Sequence, residues 1–188
     1  SHSTFTYVRQ SEMLGLGDAI LTGQPLIGNE AFAVLLADDL CDCQDDGVLS
    51  NMIKIYNKYN CSVVAIEEIP LDQTNNYGII AGNLVDYTND LYRVTDLIEK
   101  PESSDAPSNM AIIGRYILTP DIFEILKNIE PGKDGEIQIT DALQIQAKNG
   151  SVLAYKFKGK RFDCGSINGY LDATNYYAQK IGINSIQK

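Results

Sequence analysis

The stretch Ala31-Phe32-Ala33-Val34-Leu35-Leu36-Ala37-Asp38-Asp39 decides how the rest of the chain is read. A short apolar run without alternation predicts a strand buried on both faces of a parallel sheet. It stops at two adjacent carboxylates. In open α/β sheets, ligands bind in the crevice beyond the carboxyl ends of the strands. A carboxylate there suits a hard divalent cation such as Mg²⁺, which takes oxygen ligands and keeps waters and substrate phosphates in its shell. Aspartate is also common at turns, so the pair reads equally well as a plain strand terminator.

Upstream, Thr4-Phe5-Thr6-Tyr7-Val8-Arg9 has strand composition. Residues 10–17 form a loop with Gly15 and Gly17, and Asp18-Ala19-Ile20-Leu21 open a short helix that Gly23 ends. The two glycines read either as turn residues or as a place where backbone approaches a flat base or a phosphate. Downstream, Asp45-Asp46 precede a helix with Leu49, Met52, Ile53, Tyr56 and Tyr59 on one stripe. Residues 62–66 are a second buried strand, and strand, helix, strand predicts a right-handed βαβ crossover.

After Pro70 the pattern changes to hairpins. A strand begins in residues 75–80, and the turn Thr88-Asn89-Asp90 joins strands that continue to Glu99-Lys100-Pro101. Residues 102–108 are a Ser-, Asp- and Pro-rich loop, and 110–118 a long strand. Thr119 is expected to cap a helix with Pro120 at its first position. A helix over 139–148 and a strand over 152–157 follow, then a cationic turn over 158–161. Phe162-Asp163-Cys164-Gly165 ends a short strand, and Ser166 caps a last helix with Ile167, Tyr170, Leu171, Thr174, Ala178 and Ile181 on one side. With no repeat and no linker, residues 1–188 read as one domain.

Fifteen Lys and Arg against 25 Asp and Glu give a net charge of −10, which opposes binding to nucleic acid or to an anionic membrane surface. It leaves open a nucleotide held through Mg²⁺ and a few local cations. No segment is apolar for long enough to cross a bilayer, and none reads as a signal peptide. The cysteines Cys41, Cys43, Cys61 and Cys164 lack paired C-x₂-C spacing, and the one histidine is His2, so a structural zinc site is not expected. Free thiols fit a reducing cytosol.

Two carboxylates stand out by position, Asp38 and Asp163. Each follows a strand and precedes a turn, so one sheet could bring them together across a crevice to hold one Mg²⁺. In Glu99-Lys100-Pro101 the lysine is a compact charge suited to phosphate, and the glutamate can accept hydrogen bonds from sugar hydroxyls. The same pair reads otherwise as a solvated ion pair of little consequence. Lys156, Lys158, Lys160 and Arg161 read as a solvated strand end before a phosphate clamp.

Seven phrases occur in a familiar order: residues 8–19 with Leu16-Gly17-Asp18-Ala19, Val34-Leu35-Leu36-Ala37-Asp38-Asp39, Tyr77-Gly78, residues 94–101 ending in Glu99-Lys100-Pro101, residues 108–116, Gly135-Glu136-Ile137-Gln138-Ile139-Thr140-Asp141-Ala142, and Phe162-Asp163-Cys164-Gly165. Together they resemble the bacterial UTP–glucose-1-phosphate uridylyltransferases of the sugar-nucleotidyltransferase superfamily, over nearly the whole chain. The resemblance implies a Rossmann-like α/β fold of the nucleotide-diphospho-sugar transferase type: a mixed, mostly parallel sheet with flanking helices and a β-hairpin insertion. It implies formation of UDP-glucose and pyrophosphate from UTP and glucose 1-phosphate with Mg²⁺, in the cytoplasm, by a homo-oligomer. By resemblance Asp38 and Asp163 are metal ligands, Gln10 and Gly15 touch the uracil, and Gly78, Glu99 and Ala111 line the glucose pocket. Lys100 then contacts the sugar phosphate, and Glu136, Gln138, Thr140 and Asp141 frame the sugar site.

The family opens on a strand and a glycine-rich G-x-G-T-R loop that grips the triphosphate, and residues 1–188 contain no such loop. The chain therefore reads as a C-terminal part of such an enzyme, truncated at its N-terminus. By itself it is expected to show no turnover, a point that pyrophosphate release from UTP and glucose 1-phosphate would overturn. A thymidylyl- or cytidylyltransferase is the near alternative. A non-catalytic sugar-nucleotide-binding protein is the distant one, and a metal-dependent glycosyltransferase fits Glu99-Lys100-Pro101 and Asp163-Cys164-Gly165 less well.

Overall fold

The computed structural model describes residues 3–43, 46–88, 90–132 and 135–183. His2, Asp45 and Asn89, which figure in the sequence reading, lie outside the described residues. The elements run α1 (Gly15–Thr22), α2 (Gln24–Ile27), β1 (Phe32–Leu35), β2 (Asp39–Cys43), α3 (Val48–Tyr59), β3 (Ser62–Glu68), a 3₁₀ turn (Leu71–Asn76), β4 (Gly78–Asp86), β5 (Leu91–Glu99) and β6 (Met110–Leu118). They close with α4 (Ile122–Asn128), α5 (Ile139–Lys148), β7 (Val152–Lys156), β8 (Gly159–Asp163) and α6 (Ile167–Lys180).

Six strands form one sheet in the order β1-β6-β3-β7-β5-β4, and β2 and β8 pair as a separate two-stranded ribbon. β1, β3, β7 and β4 share a direction, and β6 and β5 oppose it. Among the described strands only β3 and β7 are directly parallel neighbours. The α/β class is the expected one, but parallel pairing does not dominate. The short β4–β5 connection forces antiparallel neighbours, and β6 inserts between β1 and β3.

The sheet is covered on both faces. On one side β3 contributes Val64 and Ile66 to a core with α4 (Ile122, Phe123, Leu126) and α5 (Ile139, Ala142, Leu143). On the other its Val63 and Ala65 meet Val48, Met52 and Ile55 of α3. A strand between two helical layers needs apolar residues at every position, which is why β3 reads as an uninterrupted run.

The opening stretch does not meet that condition. Phe32, Val34 and Leu36 pack into the first core, but Leu35 is 50% exposed. β1 lies at the edge of the described sheet, and its residues alternate between half-buried and exposed, so it is buried on one face only. The 4–9 segment forms no strand, and Tyr7 is 95% exposed. Strand composition acts only where a half-buried surface receives it, and no described strand pairs with this segment. In α3 the buried positions are Val48, Met52 and Ile55, while Ile53 faces solvent. Thr119 does not cap α4. Its hydroxyl is taken by Ser62 Oγ and by Gln146 Nε2, each at 3.0 Å.

The 158–161 segment is a strand, β8, because β2 supplies it with a partner. Ser166 does cap α6, accepting from the Gly169 amide at 3.0 Å. The helix then turns the expected stripe outward: Ile167, Tyr170, Leu171 and Ile181 are exposed, and Ala173 is buried. Tyr176 and Tyr177 seat it on Phe162, with ring centroids 5.0 and 6.0 Å away.

Candidate active site

After β1 the chain turns and enters β2, whose first residue, Asp39, is in register with Asp163, the last residue of β8. The Cys164 amide donates to the Asp38 carbonyl at 2.7 Å, tying the two strand ends together. A Cβ placed on Gly165 would lie 3.1 Å from Asp163 Oδ1 and 3.1 Å from Asp38 Oδ2. The two carboxylate oxygens thus face each other across a glycine, 125 residues apart in sequence but adjacent in space. The meeting of Asp38 and Asp163 that strand-end logic suggested is present.

The neighbouring Asp39 is different in kind. It is 4% exposed. Its Oδ2 accepts from the Gly114 amide at 2.5 Å, and its Oδ1 is ion-paired with Arg161 Nε. Asp38 is exposed toward the cleft, so the adjacent carboxylates divide into one open group and one structural anchor. Arg161 also reaches Glu67 Oε1 at 2.6 Å, donates to the Tyr77 hydroxyl at 3.3 Å, and stands 3.7 Å from Asp163 Oδ2. Burial works against the guanidinium charge, but Tyr77, Asp39 and Glu67 outweigh it and drive the Arg161 pKa up. Sequence composition pointed to a solvated strand end here. The register with β2 buries the Arg161 side chain instead, while Lys158 and Lys160 are exposed as expected.

These groups line a cleft of about 320 Å³, at the small end of the range for ligand sites. Its far wall holds the sugar-pocket candidates. Gly78 pairs with Glu99 across β4–β5. A Cβ on Gly78 would sit 2.6 Å from Thr140 Cγ2 and 3.2 Å from Glu99 Oε2, so the absence of a side chain keeps the wall open. Lys100 adopts left-handed backbone, φ 45°, which costs a non-glycine residue roughly 1 kcal/mol. Its amide donates to the Tyr77 carbonyl at 3.0 Å, and its Nζ lies 3.8 Å from Glu99 Oε1. The pair is solvated on the lysine side, whose side chain is 55% exposed, and it lines the cleft.

Three expected residues sit differently. Ala111 is fully buried with Ile69 and Ile79 behind the wall. Side chains alternate across β6, so Ile112, Gly114 and Tyr116 line the cleft in its place. Gln10 and Gly15 stand beside the cleft without lining it. The Gln10 amide donates to the Gly15 carbonyl at 3.2 Å and to Asp18 Oδ2 at 2.6 Å. Gly15 has φ +90°, and a Cβ there would be 2.8 Å from Glu136 Cβ. Close packing against the 136–137 segment accounts for that glycine.

Two contributors were given no contact of their own from sequence. Tyr77 lines the cleft, its hydroxyl donating to Asp163 Oδ2 at 3.3 Å. Thr140, read only as framework, is buried at the start of α5 with a hydroxyl that has no partner. An unsatisfied buried hydroxyl is costly, and this one belongs to a residue of the cleft wall. Among the described residues no group of three or more Asp, Glu, His or Cys side chains could cage a metal by itself. Two carboxylates beside room for phosphates are what Mg²⁺ ordinarily uses, so the donor set fits that ion.

The sequence profile described as Nucleotidyl transferase matches residues 2–180. Over 174 residues the chain is 63% identical to a UTP–glucose-1-phosphate uridylyltransferase of Pseudomonas aeruginosa, covering 92% of this chain and 62% of that protein. It is 42% identical over 177 residues to a UTP–glucose-1-phosphate uridylyltransferase 2 of Streptococcus pyogenes, covering 93% and 59%. A crystal structure of UDP-glucose pyrophosphorylase complexed with UDP-glucose superimposes with a TM-score of 0.89 at 58% identity, over 94% of this chain and 66% of that one. The chain thus spans about three fifths of the length of the curated relatives it matches. The likeness carried by the seven sequence phrases is borne out.

Proposed function

Because this chain belongs to the nucleotidyl transferase family, we propose that it carries the metal and sugar-phosphate sites of a UTP–glucose-1-phosphate uridylyltransferase, in one nucleotidyltransferase domain over residues 1–188. The observation that carries the reading is the pair Asp38 and Asp163 facing each other across Gly165, in the cleft that also holds Glu99 and Lys100. The relatives' names and a UDP-glucose complex of a 58% identical protein support the substrate choice. Members of the family generally use a divalent metal.

The reaction is in-line attack of a sugar-phosphate oxygen on the α-phosphorus of UTP, with pyrophosphate leaving. Positioning and charge neutralisation supply most of the rate in such transfers, which suits a cleft with no histidine among its described lining residues. Asp38 and Asp163 would hold Mg²⁺, which would offset the charge developing on the phosphate oxygens. Lys100 neutralises the sugar phosphate. Glu99 and the unpartnered Thr140 hydroxyl accept and donate to the sugar hydroxyls, and Gly78 leaves room for the ring. Gln10 and Gly15 stand at the base side, where Gln10 is held by Asp18. Tyr116, at the cleft floor, is kept neutral by burial. The reducing cytoplasm is the compartment that fits four thiols and no described disulfide.

Calorimetric titration of this chain with UDP-glucose, UDP-galactose and dTDP-glucose, with and without Mg²⁺, tests the reading. UDP-glucose is expected to bind tightest, and Mg²⁺ to strengthen it. No Mg²⁺-dependent binding of UDP-glucose, or a preference for dTDP-glucose, would overturn it.

A further inference from the structure

Arg161 is positioned to do more than fill the base of the cleft. Its side chain is 9% exposed and faces three carboxylates. Nε grips Asp39, the residue next to Asp38. One terminal nitrogen holds Glu67 at 2.6 Å, and the other lies 3.7 Å from Asp163 Oδ2. Tyr77, itself contacted by Arg161, donates to that same Asp163 oxygen at 3.3 Å. The opposite oxygen, Oδ1, accepts from the Gly165 amide at 3.1 Å and faces Asp38. Asp163 is thus held at both oxygens, and the backbone bearing Asp38 is held through its neighbour. Glu67 belongs to β3 in the main sheet, so the guanidinium also ties the β2–β8 ribbon to that sheet.

We propose that Arg161 is a positioning residue for the divalent cation: its fork sets the gap and orientation of Asp38 and Asp163. The inference rests on reading those two aspartates as the cation's ligands. A guanidinium can bridge three carboxylates in one plane, whereas a lysine ammonium at the same place is a point charge that cannot. Arg161→Lys keeps the positive charge near Asp163 and removes only the fork, so it separates geometry from charge. Partners that orient metal ligands contribute about 10- to 100-fold in affinity.

Mn²⁺ binding to this chain, followed by the electron paramagnetic resonance of free Mn²⁺, tests the proposal, with thermal melting of the metal-free protein as the measure of fold. Arg161→Lys is expected to weaken Mn²⁺ by about tenfold or more, and Glu67→Gln, which removes the anchor while touching neither aspartate, to weaken it severalfold. If both variants melt lower but bind Mn²⁺ within twofold of the parent, the role is structural only and the proposal fails. Tighter binding by Arg161→Lys also defeats it. If Arg161→Lys does not fold, Glu67→Gln decides. Asp38→Asn and Asp163→Asn separate the two levels. If these lose Mn²⁺ and Arg161→Lys does not, only the positioning role is wrong. If the parent binds no Mn²⁺, or these two bind like the parent, the reading of the aspartates fails as well.

Discussion

Gly165 separates the two facing carboxylates, and a methyl there would lie 3.1 Å from an oxygen of each. Gly165→Ala is therefore expected to push Asp38 and Asp163 apart and to weaken Mn²⁺ by about tenfold, with little change in melting temperature. A titration showing undiminished affinity would contradict this. Asp39→Asn acts on the fold as well as on the placement of Asp38. It strips the buried Arg161 of a buried partner, and breaking such a pair costs about 3 kcal/mol, to be read in urea denaturation. At this scale the sequence showed which residue types could work but not their division of labour. Asp38 and Asp39 are chemically identical neighbours, and only the turn before β2 sends one into the cleft and the other to Gly114 and Arg161.

Among the elements, β2 and β8 matter most to the site and were the least legible. Each is short, and neither alternates cleanly. Arg161 looks solvated until the partner strand is known. β3, β6 and α5 were legible because burial on two faces, or on one helical stripe, writes itself into local composition. Helix phase was less so: Ile53 and Ile167 are apolar yet exposed. Leu143 of α5 is fully buried under the sheet, so Leu143→Ala should cost about 3 kcal/mol in chemical denaturation. The end of α6 is pinned differently. Lys180, with help from Tyr176, holds the Asp42 carboxyl below its ordinary value of 3.8. Its contribution is complete above that value and is lost as the pH falls through the lower, folded one. Amide-exchange protection over residues 176–180, taken relative to the intrinsic rate at each pH, should fall on strong acidification and not near neutrality. Protection indifferent to acid would show that the contact holds nothing.

At the scale of the molecule, two helical layers on one sheet leave the strand ends open at the β1–β2 turn, where the β2–β8 ribbon, Gly78 and Lys100 converge. Strand order is not written in local pattern, because apolar runs do not name their neighbours. That β6 inserts between β1 and β3 and also pairs with β4 could not be read from 110–118 alone. Strand-end position suggested the pairing of the distant aspartates, and the resemblance gave them a role as metal ligands. The account stands on that pairing, and paramagnetic broadening by Mn²⁺ in amide spectra of this chain with UDP-glucose tests it most directly. The predicted result is selective loss of the signals around Asp38, Asp163 and Gly165. Broadening centred elsewhere, or spread evenly over the acidic surface, would contradict it.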